Sequence, residues 1–215
     1  MATKTSPEGL AAYVDVETTG LSPRHDEIIQ LSIAIFRFDR EASEILAIED
    51  SYTGFQEPEC GYVPLSATRI NGIQFEDVLG HSLDDKRVSS LANAAEFIVA
   101  HNAQFDRSFI QLRYDWALRQ PWKCSMRHVD WISKGFYSRK LQALLAVHRI
   151  TVDTAHRADA DVNYAIQLLN CESRDGTRYF REIIQHRPLR RTGRFVYNHG
   201  EVAASMESPT KKDPF

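Results

Sequence analysis

Sulfur, long apolar runs and strong net charge are all scarce in this 215-residue chain, and each scarcity removes a class of protein. The three cysteines, Cys60, Cys124 and Cys171, lie far apart with no C-x-x-C spacing. Neither a disulfide framework nor a sulfur-rich zinc site is therefore indicated, and a reducing cytoplasm suits them. The eight histidines are scattered singly, which argues against a zinc hydrolase. No stretch approaches the roughly 20 apolar residues of a membrane-spanning helix, and residues 1–10 hold no apolar core of signal-peptide length. A soluble, cytoplasmic protein is expected. A formal net charge of −3 excludes a broadly basic protein that coats nucleic acid. It does not exclude an enzyme whose acidic site meets phosphate through bound cations.

What is present is apolar periodicity that changes along the chain. Residues 11–16 read as a buried strand running into a Thr18-Thr19-Gly20 turn, and residues 28–38 and 45–48 as the next strands of an antiparallel meander. Residues 52–85 are rich in Gly, Pro and polar side chains, which predicts a long loop with one short helix at 66–70. A helix over 84–96, a short strand at 97–100 and a helix over 106–119 follow, the last with Phe109, Leu112 and Trp116 facing inward. Two further amphipathic helices cover 141–148 and 158–169. Strands first, then strand and helices mixed, imply an α/β domain with a central mixed sheet flanked by helices. The expected organisation is a flexible terminus at 1–10, a domain at 11–170, a basic extension at 171–199 and a disordered tail at 200–215. The extension carries seven arginines against three acids, which suits contact with a nucleic-acid backbone or a solvated helix face.

Three short segments could carry chemistry. Asp15 and Glu17 lie two apart at a strand end, so both carboxylates share a face, while Val14 and Val16 pack behind them. Asp106 falls at the start of a helix, after His101-Asn102-Ala103-Gln104-Phe105. Asp161 follows His156-Arg157-Ala158-Asp159-Ala160 in the first turns of another helix. Each acid alone also fits a plainer role: a solvated strand end for the first pair, a helix-start residue for the others. His101 reads as a hydrogen-bonded strand-end histidine. Together the four acids form the oxygen-rich ligand set of two hard cations, Mg²⁺ or Mn²⁺, at a phosphoryl-transfer site. A loop histidine such as His156, with an ordinary pKa near 6.5, can take a proton from water at neutral pH.

Asp15-Val16-Glu17-Thr18-Thr19-Gly20-Leu21, His101-Asn102-Ala103-Gln104-Phe105-Asp106 and His156-Arg157-Ala158-Asp159-Ala160-Asp161 occur in that order. In this the sequence resembles the DnaQ-like, DEDDh group of 3′–5′ exonucleases, within the ribonuclease H-like fold, over about residues 11–170. The resemblance implies that Asp15, Glu17, Asp106 and Asp161 coordinate two Mg²⁺ ions. It also implies that His156 is the general base, and that nucleoside 5′-monophosphates are released. It places Thr18, Thr19 and Leu21 at the border of the terminal nucleotide, Phe105 near its sugar or base, and Asn102 and Asn71 among the substrate contacts. Asn71-Gly72-Ile73 stands where such enzymes often carry His-Gly-Ile. Oligoribonucleases of the group usually carry methionine after the catalytic glutamate. Thr18-Thr19-Gly20-Leu21 instead looks like DNA proofreading and repair enzymes, so single-stranded 3′ ends of DNA are the expected substrate, with RNA as the alternative. A non-catalytic nucleic-acid-binding module would have lost a ligand or the histidine, and all five are present. No clamp- or polymerase-binding peptide stands out in the tail, which leaves a polymerase partner open.

Overall fold

In the computed structural model, residues 7–151 and 158–190 are described. Three long strands, β1 (Glu8–Thr18), β2 (Ile28–Asp39) and β3 (Glu44–Phe55), form the antiparallel meander. Helices α1 (Leu65–Asn71), α2 (Phe75–Val78) and α3 (Asp85–Ala94) follow, then strand β4 (Ile98–Ala100). Next come α4 (Ala103–Arg113), α5 (Trp116–Arg119), strand β5 (Trp122–Cys124) and α6 (Ser125–His128). The described chain ends with α7 (Leu141–Val147), α8 (Ala158–Asn170) and α9 (Tyr179–Gln185). The sheet order is β3-β2-β1-β4-β5, with β4 parallel to β1 and β5 parallel to β4. The expected mixed sheet flanked by helices is what forms.

β1 is the central strand and its residues are buried on both faces. Ala12, Val14 and Val16 join one core with Val88, Leu91, Phe109 and Trp122. Ala11 and Tyr13 join the other with Leu145, Val162, Ile166 and Phe180. This alternation is the period of two of an extended chain. It turns the side of Asp15 and Glu17 toward the α8 layer. Because β4 runs parallel to β1, the turn into α4 leaves the sheet at the same end as Asp15.

Several boundaries differ from those read in the sequence. Residues 8–10, assigned to a flexible terminus, are the start of β1, and the Pro7 carbonyl accepts from Arg40 N–H. The expected 52–85 loop loses its first residues to β3 and gains α2. The expected single helix over 106–119 begins earlier, at Ala103, and breaks where Tyr114 is extended (φ −124°, ψ 117°). Leu112, on the outer face of α4 before the break, is 44% exposed, while Trp116 beyond it is buried. Strand β5 was not anticipated.

The largest difference concerns the expected extension at 171–199. Its described part continues the domain core: Tyr179, Phe180 and Ile183 of α9 are buried. The Phe180 ring centroid lies 5.5 Å from that of Phe36 and 5.2 Å from that of Phe38, both edge-on. Arg178 is engaged with Glu44 and the Asn170 carbonyl, which takes it away from a nucleic-acid role. Beyond α9, Lys123 Nζ donates to the His186 carbonyl and Leu189 N–H donates to the Trp122 carbonyl at 2.8 Å. Phe180→Ala is accordingly expected to cost about 3–5 kcal/mol of unfolding free energy in chemical denaturation. A loss below about 1 kcal/mol would show that α9 is not part of the cooperative core.

Candidate active site

The first two acids sit at the end of β1, where Asp15 pairs in register with Ser32 and Glu17 with Gln30. The register then shifts between Glu17 and Thr18, an irregularity of the kind that bends a strand and re-aims its side chains. The loop beyond is held by its own polar groups. Thr18 Oγ1 donates to the Gly20 carbonyl, and Thr19 Oγ1 accepts from Glu27 N–H at 2.9 Å. Asp26 accepts from Ser22 N–H at 2.8 Å. A Cβ at position 20 would strike the Asp26 carboxylate and displace it from the Ser22 N–H that it accepts from. Thr18 and Thr19 are therefore buried loop-makers, whereas Leu21 projects into solvent, 82% exposed.

The second motif leaves β4 through Asn102, held in the left-handed region (φ 67°, ψ 43°). Asparagine tolerates this conformation better than most residues. The sharp turn brings Asp106 within the first turn of α4 and back onto β1. Its carboxylate, 2% exposed, is hydrogen-bonded by its own N–H and by that of Val16. Burial nevertheless pushes its pKa up to about 8. Its Oδ2 is buried with no hydrogen-bond partner among the described residues. His101, just before it, bonds Ser125 Oγ through Nδ1 (2.9 Å) and the Arg139 carbonyl through Nε2 (2.7 Å). Burial lowers its pKa to about 4, so it stands as the neutral, hydrogen-bonded histidine that its sequence position suggested.

Asp161, on α8, is the third element. Carboxylate oxygens of Asp15, Glu17 and Asp161 all lie within 4.8 Å of one another. Asp15 is raised well above the usual carboxylate range by burial, then by repulsion from Asp106, Glu17 and Asp161. Four acids thus converge on one end of the sheet, and Asp106 keeps a buried oxygen with no hydrogen-bond partner among the described residues. Such a cluster of like charges, half-buried at Asp15 and Glu17 and buried at Asp106 and Asp161, is unfavourable unless a cation or protons offset it. The all-oxygen donor set fits hard divalent cations.

Two glutamines that the sequence reading passed over hold this arrangement. Gln142 Nε2 on α7 donates to Asp161 Oδ1 at 2.9 Å. The Gln30 side-chain carbonyl on β2, facing Glu17, accepts from Ala158 N–H at 3.1 Å and fixes the start of α8. Gln30 had a legible signal, being the first polar residue in an otherwise apolar strand opening; Gln142 had none. Asn71, expected among the substrate contacts, is 3% exposed, and its Oδ1 accepts from Ile73 N–H at 3.0 Å, which shapes the turn after α1. Asn102 and Phe105 line a cavity of about 600 Å³ beside α4. His156 lies outside the described residues.

The chain and its fold have counterparts among known proteins. A family model described as an exonuclease, of the RNase_T type, matches residues 13–169. The PolC-type DNA polymerase III of Latilactobacillus sakei is 31% identical over 172 residues, covering 74% of this chain and 11% of that protein. The DNA polymerase III subunit epsilon of Treponema pallidum is 28% identical over 162 residues, covering 72% of each. The chain therefore spans about a tenth of the PolC-type relatives it matches. Among solved structures, E. coli exonuclease I in complex with a dA16 oligonucleotide superimposes with a TM-score of 0.61 at 20% identity. That match covers 75% of this chain and 40% of the other, and shows a shared fold. With the family match spanning both the sheet and the converging acids, the chain belongs to the DnaQ-like exonuclease family, built on the ribonuclease H-like fold.

Proposed function

We propose that this chain hydrolyses phosphodiester bonds from the 3′ end of nucleic acid, preferring single-stranded DNA, and releases nucleoside 5′-monophosphates. The observation that carries the reading is the convergence of three carboxylates within 4.8 Å, beside the buried Asp106 Oδ2, which has no hydrogen-bond partner among the described residues. Asp15, Glu17, Asp106 and Asp161 would hold two Mg²⁺ or Mn²⁺ ions. Bound divalent cations at such a site lower the pKa of water and offset charge on the leaving oxygen.

The protein's own residues have separate tasks. His156 accepts the proton of the water that attacks phosphorus, the bond to the 3′ oxygen breaks, and that oxygen takes a proton from solvent to become the new 3′ hydroxyl. Gln30 anchors the helix start two residues beyond His156, and Gln142 fixes the orientation of Asp161. The polymerase III names among the relatives support DNA over RNA and make a replicative polymerase the partner to test first. A cytoplasmic setting accords with those names; among the described residues no helix is long and apolar enough to cross a membrane.

The test is release of label from 3′-labelled single-stranded DNA, duplex DNA and RNA, with Mg²⁺ and with chelator. Labelled mononucleotide is expected first from single-stranded DNA, and chelator should stop it. Release only from labelled 5′ ends would overturn the polarity, and RNA cleaved faster than DNA would favour the exoribonuclease alternative.

A further inference from the structure

His101 belongs to a chain of polar groups that runs behind the acids and ends outside them. The Arg139 carbonyl can only accept, so His101 Nε2, 2.7 Å from it, carries a proton. With the ring neutral, Nδ1 accepts from the Ser125 hydroxyl at 2.9 Å. Ser125, its one proton committed, accepts in turn from the Tyr13 hydroxyl at 3.1 Å. One direction of donation follows: Tyr13 to Ser125, Ser125 to His101, His101 to Arg139. Tyr13 and Ser125 are 1% and 2% exposed, so the first links are shielded from water. The chain joins β1, α6, the end of β4 and the stretch that leads into α7.

That last stretch is held little by burial. Tyr137 is fully exposed, and Arg139 and Lys140 are exposed as well. Lys140, the N-cap of α7, makes no side-chain cap hydrogen bond, and a helix start leaves its first N–H groups without partners inside the helix. Lys140 N–H donates to Ser138 Oγ, a bond within the same stretch. The bond from His101 reaches it from the sheet. Three residues beyond Arg139, in the first turn of α7, Gln142 Nε2 donates to Asp161 Oδ1 at 2.9 Å. A hydrogen bond weakens steeply as donor and acceptor part or tilt, so the Asp161 contact depends on where α7 begins.

We propose that His101 is a positioning residue for Asp161: by holding the Arg139 carbonyl it sets the start of α7, and with it the Gln142 amide that orients the carboxylate. The inference rests on the exonuclease reading, in which Asp161 holds a cation. Groups that orient a metal ligand change metal affinity by roughly 10–100-fold when lost. The two ring nitrogens then have separate duties. Nε2 serves the site, and Nδ1 anchors the ring.

His101→Gln and His101→Asn divide those duties. The glutamine amide reaches the place of Nε2 and still donates to Arg139; the shorter asparagine amide reaches the place of Nδ1 and still meets Ser125. Each variant of the full chain loses one of the two hydrogen bonds, so melting temperatures in chelator are expected to fall alike. Mn²⁺ binding, by titration calorimetry without nucleic acid, is expected to weaken about tenfold in His101→Asn and to stay within about threefold of wild type in His101→Gln. A merely structural histidine would give equal losses in both variants, or none, and either result overturns the proposal. Gln142→Met alone is expected to weaken binding about tenfold, and His101→Asn added to it to change nothing further, as for two groups that act through one contact. Losses that multiply would overturn the route through α7. Amide hydrogen exchange in chelator, followed by mass spectrometry, needs no cation. Exchange at residues 141–145 is expected to quicken about tenfold in His101→Asn and not in His101→Gln. Unchanged exchange overturns the proposal. A wild-type chain that binds no Mn²⁺ and releases no mononucleotide would instead remove the exonuclease reading, and exchange would still decide whether His101 sets α7.

Discussion

Asp15→Asn is expected to reduce divalent-dependent release of mononucleotides from a 3′ end by about 10³-fold or more, the scale of losing a group that stabilises the reacting phosphate. The substitution keeps the shape of the side chain and removes one charge from a cluster in which Asp15 faces repulsion from Asp106, Glu17 and Asp161. The fold should therefore not suffer: melting in chelator is expected at or above the wild-type temperature. The stabilisation that added Mg²⁺ gives should shrink, because a ligand that binds only the native state raises stability in proportion to its affinity. Full activity in this variant would remove the four-acid site from consideration. A collapse of melting temperature in chelator would mean that Asp15 serves the fold rather than the chemistry.

The second large effect is assigned to His156. His156→Ala is expected to slow turnover by roughly 10²-fold, the usual scale for a lost general base, with Mg²⁺ affinity by titration calorimetry close to that of the wild type. An imidazole near pKa 6.5 would make the wild-type rate rise with pH through that region and then level off. The variant should lack that rise. Loss of Mg²⁺ binding along with activity would instead make the histidine a support for Asp161. A wild-type rate would end its role altogether.

Much of this site could be read from the sequence because each acid belongs to a short contiguous segment at the end of a strand or start of a helix. The strand period puts Asp15 and Glu17 on one face and Asp106 follows an apolar run, but each alone also fitted a plainer role, and only the three segments in order pointed to one site. What brings the segments together was not local. The parallel pairing of β1 with β4 sets which ends of the sheet coincide, and nothing within residues 98–100 encodes it. Gln30 and Gln142 act on residues 128 and 19 positions away, respectively, beyond the reach of any spacing argument. Thr18, Thr19 and Asn71 were placed at the substrate by the resemblance alone, and the hydrogen bonds that each makes within its own loop could not be read from the sequence.

The region after Asn170 misled for a different reason. Its arginines dominate the composition, yet Phe180, Ile183 and Ile184 keep the three-to-four spacing of a helix with one apolar face. Reading charge before periodicity turned a core helix into an extension.

The placement of Phe180 also bears on how this nuclease could be cut from, or grafted into, a longer polypeptide. A fragment ended at residue 169, where the family resemblance stops, would leave Phe36, Phe38 and Phe97 facing water where the Phe180 ring now covers them. Such a surface invites aggregation. The module that can be moved as a unit therefore extends at least to Arg190, whose carbonyl accepts from Arg107 and ties the end of the described chain to α4.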